Sequence, residues 1–162
     1  MRVTIRTNLA IRVLMACGVN TDHMVRRAEI AQATNASENH LAQVVHLLAS
    51  EGYIKTVRGR SGGLALARPA SEISVGQVFR QFEAATPFAE CFEGAQNTCP
   101  LKDVCRLRDA LIAGLAAFYG VLDQITIEDL VHDNAGLEGL LSMPNPASTM
   151  AASCGAQGAT AH

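Results

Sequence analysis

The sequence predicts a mostly α-helical fold: a winged helix-turn-helix with a long helix behind it. Three observations carry this. Two helical patterns, a polar turn and a third helical pattern fill the first 52 positions. The apolar period then changes from 3.6 to 2 at Tyr53, where two short strand patterns flank a glycine-rich tip. After Pro100, apolar residues recur at three-or-four spacing for more than twenty positions.

The first helix places Ile5, Leu9, Val13 and Cys17 at four-residue spacing, with Leu14 alongside, and stops at Gly18 and Asn20-Thr21-Asp22. A short helix over 25–33 leads into the turn Thr34-Asn35-Ala36. Ser37 reads as the N-cap of the third helix, with Glu38 where the helix dipole favours an acid. Leu41, Val44, Val45 and Leu48 form its apolar stripe; Asn39, His40, Gln43 and His46 occupy the opposite face, and Gly52 ends it. The strands are 53–57 and 64–67, joined by Arg58-Gly59-Arg60-Ser61-Gly62-Gly63. Ser74-Val75-Gly76-Gln77 offers a capping box for a helix with the stripe Val75, Val78, Phe79, Phe82. Pro87 breaks the chain. Residues 88–98 read as loop, and Pro100 suits the first turn of a helix running to Leu122 along Leu107, Leu111, Leu115, Phe118 and Leu122. Thr126-Ile127-Glu128-Asp129 opens a short terminal helix, at whose end His132 is a cap or a solvated side chain. From Met143 the chain is Pro/Ala/Ser/Gly-rich and almost uncharged, the composition of a disordered tail. The chain divides into 1–70, 71–142 and a tail at 143–162.

A chain of 162 residues, 49% hydrophobic, supports one domain or two small ones on a shared core and excludes wholesale disorder. No apolar run approaches the roughly 18–20 residues that cross a bilayer, and the N-terminal stretch lacks the uninterrupted apolar segment of a secretory signal. A cytoplasmic protein is expected. Five cysteines, an odd count, favour metal or redox chemistry over a disulfide framework. The net charge of −2 hides an asymmetry. Residues 1–70 hold nine Lys/Arg against four Asp/Glu, a balance of +5, and the remainder holds four against eleven, a balance of −7. A basic half of this kind suits a polyanion. Enzyme classes find little support: there is no paired acid/base motif, no nucleophile elbow and no phosphate-binding glycine loop before a helix.

The third helix is therefore the candidate reader of double-stranded DNA. Asn39 and Gln43 have the amides that bond adenine, His40 can donate to base or phosphate, and Ser37 stands at the helix start. In the hairpin, Arg58 and Arg60 flank Gly59. Glycine permits close backbone approach, and arginine suits a narrow, electronegative minor groove. Lys55 and Arg68 add to four basic residues within fourteen positions. Without the hairpin, the polar helix face would be only the wet side of a surface helix.

Cys91, Cys99 and Cys105 are separated by seven and five residues. The short knuckle of structural zinc is absent, and three thiolates on a long loop can wrap a larger group such as an iron–sulfur cluster. Redox thiols and zinc remain alternatives. Cys17 falls on an apolar stripe and reads as core; Cys154 falls in the tail. His23 lies in a loop and carries no specific role.

Taken together, Arg6-Thr7-Asn8-Leu9-Ala10-Ile11-Arg12, Ser37-Glu38-Asn39-His40-Leu41, the run from Gly52 to Gly63, Ala67-Arg68-Pro69, the three-cysteine segment and Ile127-Glu128-Asp129-Leu130-Val131 resemble the Rrf family of winged-helix transcription regulators that carry iron–sulfur clusters. The resemblance spans residues 1–142. It implies a homodimer whose long helix is the dimerisation helix, a cluster on Cys91, Cys99 and Cys105 (4Fe-4S, with 2Fe-2S the alternative), and repression through cluster-controlled operator binding. The run Asn39-His40-Leu41 to Val44-Val45-His46 is most similar to the nitric-oxide-sensing NsrR type. Ala89-Glu90-Cys91-Phe92-Glu93 is also similar to the iron-responsive RirA type. Arg108 stands where IscR-like members have a histidine. Asn8 stands where NsrR-like members often carry a carboxylate donated by the partner subunit, so the fourth ligand is Asn8, another group or a small molecule. A reading from another class is a redox or metal-handling protein that binds no DNA.

Overall fold

The structure is a computed structural model that describes residues 3–59, 62–84, 87–92 and 97–145. Arg60, Cys154 and most of the expected tail lie outside the described residues. Seven α-helices and one two-stranded sheet are present among those described: α1 (Ile5–Val19), α2 (Arg27–Ala33), α3 (Glu38–Ser50), β1 (Ile54–Val57), β2 (Gly63–Leu66), α4 (Val75–Glu83), α5 (Arg106–Asp123), α6 (Ile127–Val131) and α7 (Ala135–Leu141). Short 3-10 turns lie at Ala70–Glu72 and Glu90–Phe92. No helix among them is long and apolar enough to cross a membrane.

α1 is the central beam. Leu9, Val13, Leu14 and Cys17 are buried as their spacing requires, whereas Ile5, one turn earlier, protrudes beyond the neighbouring elements and is 71% exposed. α3 packs Leu41, Val44 and Leu48 onto the core, with Val45 at its margin. The expected N-cap is only half realised. Ser37 has the extended cap backbone, yet its hydroxyl makes no capping bond, and Glu38 instead reaches Arg27 at 3.7 Å. β1 and β2 pair antiparallel from Ile54↔Leu66 to Val57↔Gly63. The base of this wing is stitched to the lead of α2 by reciprocal backbone bonds between Val25 and Leu64 (3.0 and 2.8 Å).

Behind the wing, Ser74 accepts from the Gln77 amide and so caps α4. α4 buries Val75, Val78 and Phe82 against α1 and lays Phe79 edge-on to Phe118 of α5 (6.1 Å). Gly76 lies against Asp123 so closely that a Cβ would collide with its backbone. Arg80 grips the Asp123 carboxylate with both terminal nitrogens and stacks over Tyr119 at 4.4 Å.

Three expectations are corrected here. The long helix begins at Arg106, not Pro100. Residues 100–104 form turns with i→i+3 bonds from Lys102 to Cys99 and from Val104 to Leu101, and the apolar side chains of Leu101 and Val104 stay 58% and 79% exposed, so burial does not favour a helix here. The single terminal helix is two, α6 and α7, separated by His132 and by Asp133 at φ +53°, a left-handed kink that an α-helix cannot continue through. Met143, expected to begin the tail, is buried. Its amide donates to Oδ1 of Asn20 (2.9 Å), whose Nδ2 donates to the carbonyls of Ala16 (2.8 Å) and Leu141 (2.7 Å). α6 and α7 thereby pack on α1, and one core unites residues from both halves of the chain.

Candidate nucleic-acid interface and cysteine loop

α3 presents Ser37, Asn39, His40, Gln43 and His46 to solvent on one side of the molecule, while its stripe fixes it to α1. β1 delivers Arg58 and Gly59 to the wing tip, both exposed. Gly59 has φ +109°, which an L side chain rarely adopts, and its carbonyl accepts the Gly62 amide at 3.1 Å; this is how the tip closes. Between α2, α3 and the wing runs a groove of about 730 Å³. Its lining includes Arg26, Arg27, His46 and Arg58, the backbone at Gly59, Gly62 and Gly63, and, among the described residues, no acidic side chain. A cleft with basic walls and glycine backbone suits a phosphate chain.

Of the polar α3 residues, His46 meets Arg58 in this groove; Ser37, Asn39, His40 and Gln43 are exposed but are not among its lining residues. Arg60 is outside the described residues. Sequence reasoning missed Arg26 and Arg27, which the Val25–Leu64 stitch, 39 residues apart in sequence, sets beside the wing. Arg68, counted with the wing, is used otherwise: its guanidinium stacks over Tyr53 at 4.5 Å and braces the root of β1. Arg6 was also missed as a neighbour of the reading face; its Nη2 donates to Gln43 Oε1 at 3.1 Å.

The cysteines follow α4 in the chain, between it and the head of α5. Cys91 sits in the 3-10 turn between Phe88 and Phe92, whose rings stack edge-on at 5.7 Å. Cys99 is shaped by Asn97, whose Oδ1 accepts its amide (3.0 Å), and Cys105 is the N-cap residue of α5. Arg108 ties two of these places together, donating from Nε to the Cys91 carbonyl (3.3 Å) and from its amide to the Cys105 carbonyl (3.1 Å). All three thiols are free and half-buried. In kind, the donors fit an iron–sulfur cluster. In arrangement, no three His, Cys, Asp or Glu side chains among the described residues stand close enough to hold a metal ion. Cys17 is different: burial pushes its thiol up to about 12, as befits a core residue. Asn8 is exposed on the first turn of α1.

Comparison with known proteins decides the family. The family model described as an iron-dependent transcriptional regulator, Rrf2, matches residues 3–133. The chain belongs to the Rrf2 family. Similar proteins include the protein aau3 of Rhizobium meliloti, 43% identical over 146 residues (90% of this chain, 95% of the relative). The HTH-type transcriptional regulator NsrR of Geobacillus kaustophilus is also 43% identical, over 142 residues (87% and 97%). Among solved structures, the oxidised form of Staphylococcus aureus CymR superposes with a TM-score of 0.65 at 26% identity, covering 82% of this chain and 97% of that one. This Rrf2 protein is thus a transcriptional regulator with the winged-helix architecture its sequence predicted.

Proposed function

We propose that this Rrf2 protein is a cytoplasmic, homodimeric repressor of the NsrR type, whose operator binding is set by an iron–sulfur cluster on Cys91, Cys99 and Cys105 and whose signal is nitric oxide. The observation that carries the reading is the placement of two unlike surfaces on one core: a basic reading groove at α3 and the wing, and a loop of three free thiols at the start of α5. The cluster, 4Fe-4S in this reading, would supply iron that nitric oxide attacks. The chain does the rest. Arg108 holds the Cys91 turn to the head of α5, and α4 joins α5 to the DNA-binding half through Asp123. Leu107 and Val121 of α5 are 66% and 64% exposed, the apolar surface that a second copy would cover. Asn8, exposed on α1, is available as a fourth ligand to that copy. A loosened thiol loop alters how α5 sits on α4 and so depopulates the DNA-competent dimer.

One observation favours a second reading. The segment Ala89-Glu90-Cys91-Phe92-Glu93 is similar to that of iron-responsive repressors of the RirA type, in which loss of the cluster when iron is scarce would be the signal. The visible spectrum of anaerobically purified protein separates the two. Bleaching by stoichiometric nitric oxide with resistance to an iron chelator supports the first reading, and ready loss to chelator supports the second. A colourless protein with stoichiometric zinc removes both.

A further inference from the structure

The first turn of α1 touches two distant places at once. On one side, Glu83, the last residue of α4, accepts three hydrogen bonds on a single oxygen. They come from the Thr4 amide (2.9 Å), the Thr4 hydroxyl (3.0 Å) and the fully buried Thr7 hydroxyl. The Thr4 hydroxyl also receives the Thr7 amide as the α1 N-cap. A carboxylate that gathers three donors makes a strong, directional anchor. On the other side of the same turn, Arg6 extends to the reading helix and bonds Gln43 Oε1.

We propose that Arg6 is a specificity-determining residue of the DNA-reading surface. It acts by fixing the amide of Gln43, and Glu83 with Thr4 and Thr7 holds the turn that lets it do so. The proposal rests on the DNA-binding reading above and deepens it. A free glutamine on a recognition helix swings about three side-chain torsions and reads adenine with both its oxygen and its nitrogen. With Oε1 engaged by Arg6, Gln43 presents its NH2 group outward as a donor. The base edges that meet a donor are acceptors: N7 and O6 of guanine, N7 of adenine and O4 of thymine. Arg6 thus narrows what Gln43 reads without itself touching a base. The anchor explains why Arg6 can do this from an exposed position: Thr7 beside it is immobilised in the core.

The test is selection from duplexes randomised over about three helical turns, using full-length, iron-loaded protein. Wild type, Arg6→Ala, Gln43→Ala, the double variant and Thr7→Val are compared, and affinities are then measured for the selected site and its single-base-pair changes at several salt concentrations. Arg6→Ala is expected to lower discrimination at the pair read by Gln43 about tenfold. Discrimination at other pairs should stay intact, and the double variant should be no worse there than Gln43→Ala. Thr7→Val should move the same pair in the same direction by less. If Arg6→Ala instead lowers affinity equally for every duplex and reduces the salt slope by about one, Arg6 is a phosphate contact and the proposal is overturned. Additive losses in the double variant overturn it as well. If wild type selects no sequence, the DNA-binding reading itself fails and takes the proposal with it.

Discussion

Cys17 and the three loop cysteines differ in reactivity for reasons visible in their surroundings. Cys17 is buried in the core and its thiol pKa is raised to about 12, so it stays neutral and shielded. Iodoacetamide is expected to modify Cys91, Cys99 and Cys105 in iron-free protein and to spare Cys17 until the chain unfolds; peptide mass mapping reads this directly. Substituting alanine at any of the three should abolish iron retention, whereas Cys17→Ala and Cys154→Ala should keep it, as iron per dimer would show. A Cys99→Ala protein with full iron would remove that residue from the ligand set. Asp123 carries a second residue-scale expectation. Its hydrogen bonds from Arg80 lower its pKa below the usual 3.8. A depressed carboxylate stabilises the fold above its unfolded value, and that contribution is lost as the pH falls through the folded value. The melting temperature of Asp123→Asn should therefore lie below wild type at neutral pH, and the gap should close on acidification below the ordinary carboxylate range.

At the scale of elements, the wing tests the interface most directly. Removal of Arg58 is expected to weaken operator binding and lower the log–log salt slope by about one, because one phosphate-directed charge is lost. Asn39→Ala should relax sequence preference instead, at roughly 1–3 kcal/mol for one base contact. Titration of operator and scrambled duplex at several salt concentrations distinguishes these effects, and an unchanged slope after removing Arg58 would falsify the role given to the hairpin. These elements were legible in the sequence because each is specified locally. The α3 stripe has helical period, the wing has period 2, and Gly52 and Gly59 stand where the backbone turns left-handed (φ +72° and +109°). The start of α5 was not legible. Pro100 permits a helix, but Leu101 and Val104 remain exposed, so no burial favours one there. The Arg6–Gln43 bond and the Arg26–Arg27 wall of the groove were hidden for another reason: each joins residues that only tertiary packing makes neighbours.

For the molecule as a whole, the unfilled surface lies along α5, where no residue is buried within the chain. Charge placed at Leu107 or Val121 is expected to shift the protein from dimer to monomer in analytical ultracentrifugation and to weaken binding to a two-part operator, since two reading helices need a fixed spacing. A persistent dimer would move the interface elsewhere. The division of the chain was harder to read than its elements. Charge separates a basic half from an acidic one, yet the hydrophobic core does not follow that boundary: Ile127, Val131, Leu141 and Met143 share it with Leu9, Val13 and Leu14. The cysteine loop was legible as a set of donors, because thiol chemistry is carried by residue type. How the loop is arranged was not, because the turns at 97–104 depend on bonds such as Asn97 to Cys99, which residue type alone does not announce.

The buried amide of Asn20 bears on how the protein is made. Its partners at Leu141 and Met143 are more than 120 positions away, so the end of α1 has no completed environment until almost the whole described chain has been synthesised. Domains emerge from the ribosome in order, N-terminal part first. Here the reading helix and wing emerge first, on an α1 whose packing with α6 and α7 is completed last. A polypeptide still being translated would therefore be a poor ligand for the chromosome, and a prematurely terminated one would be a substrate for proteolysis rather than a constitutive repressor.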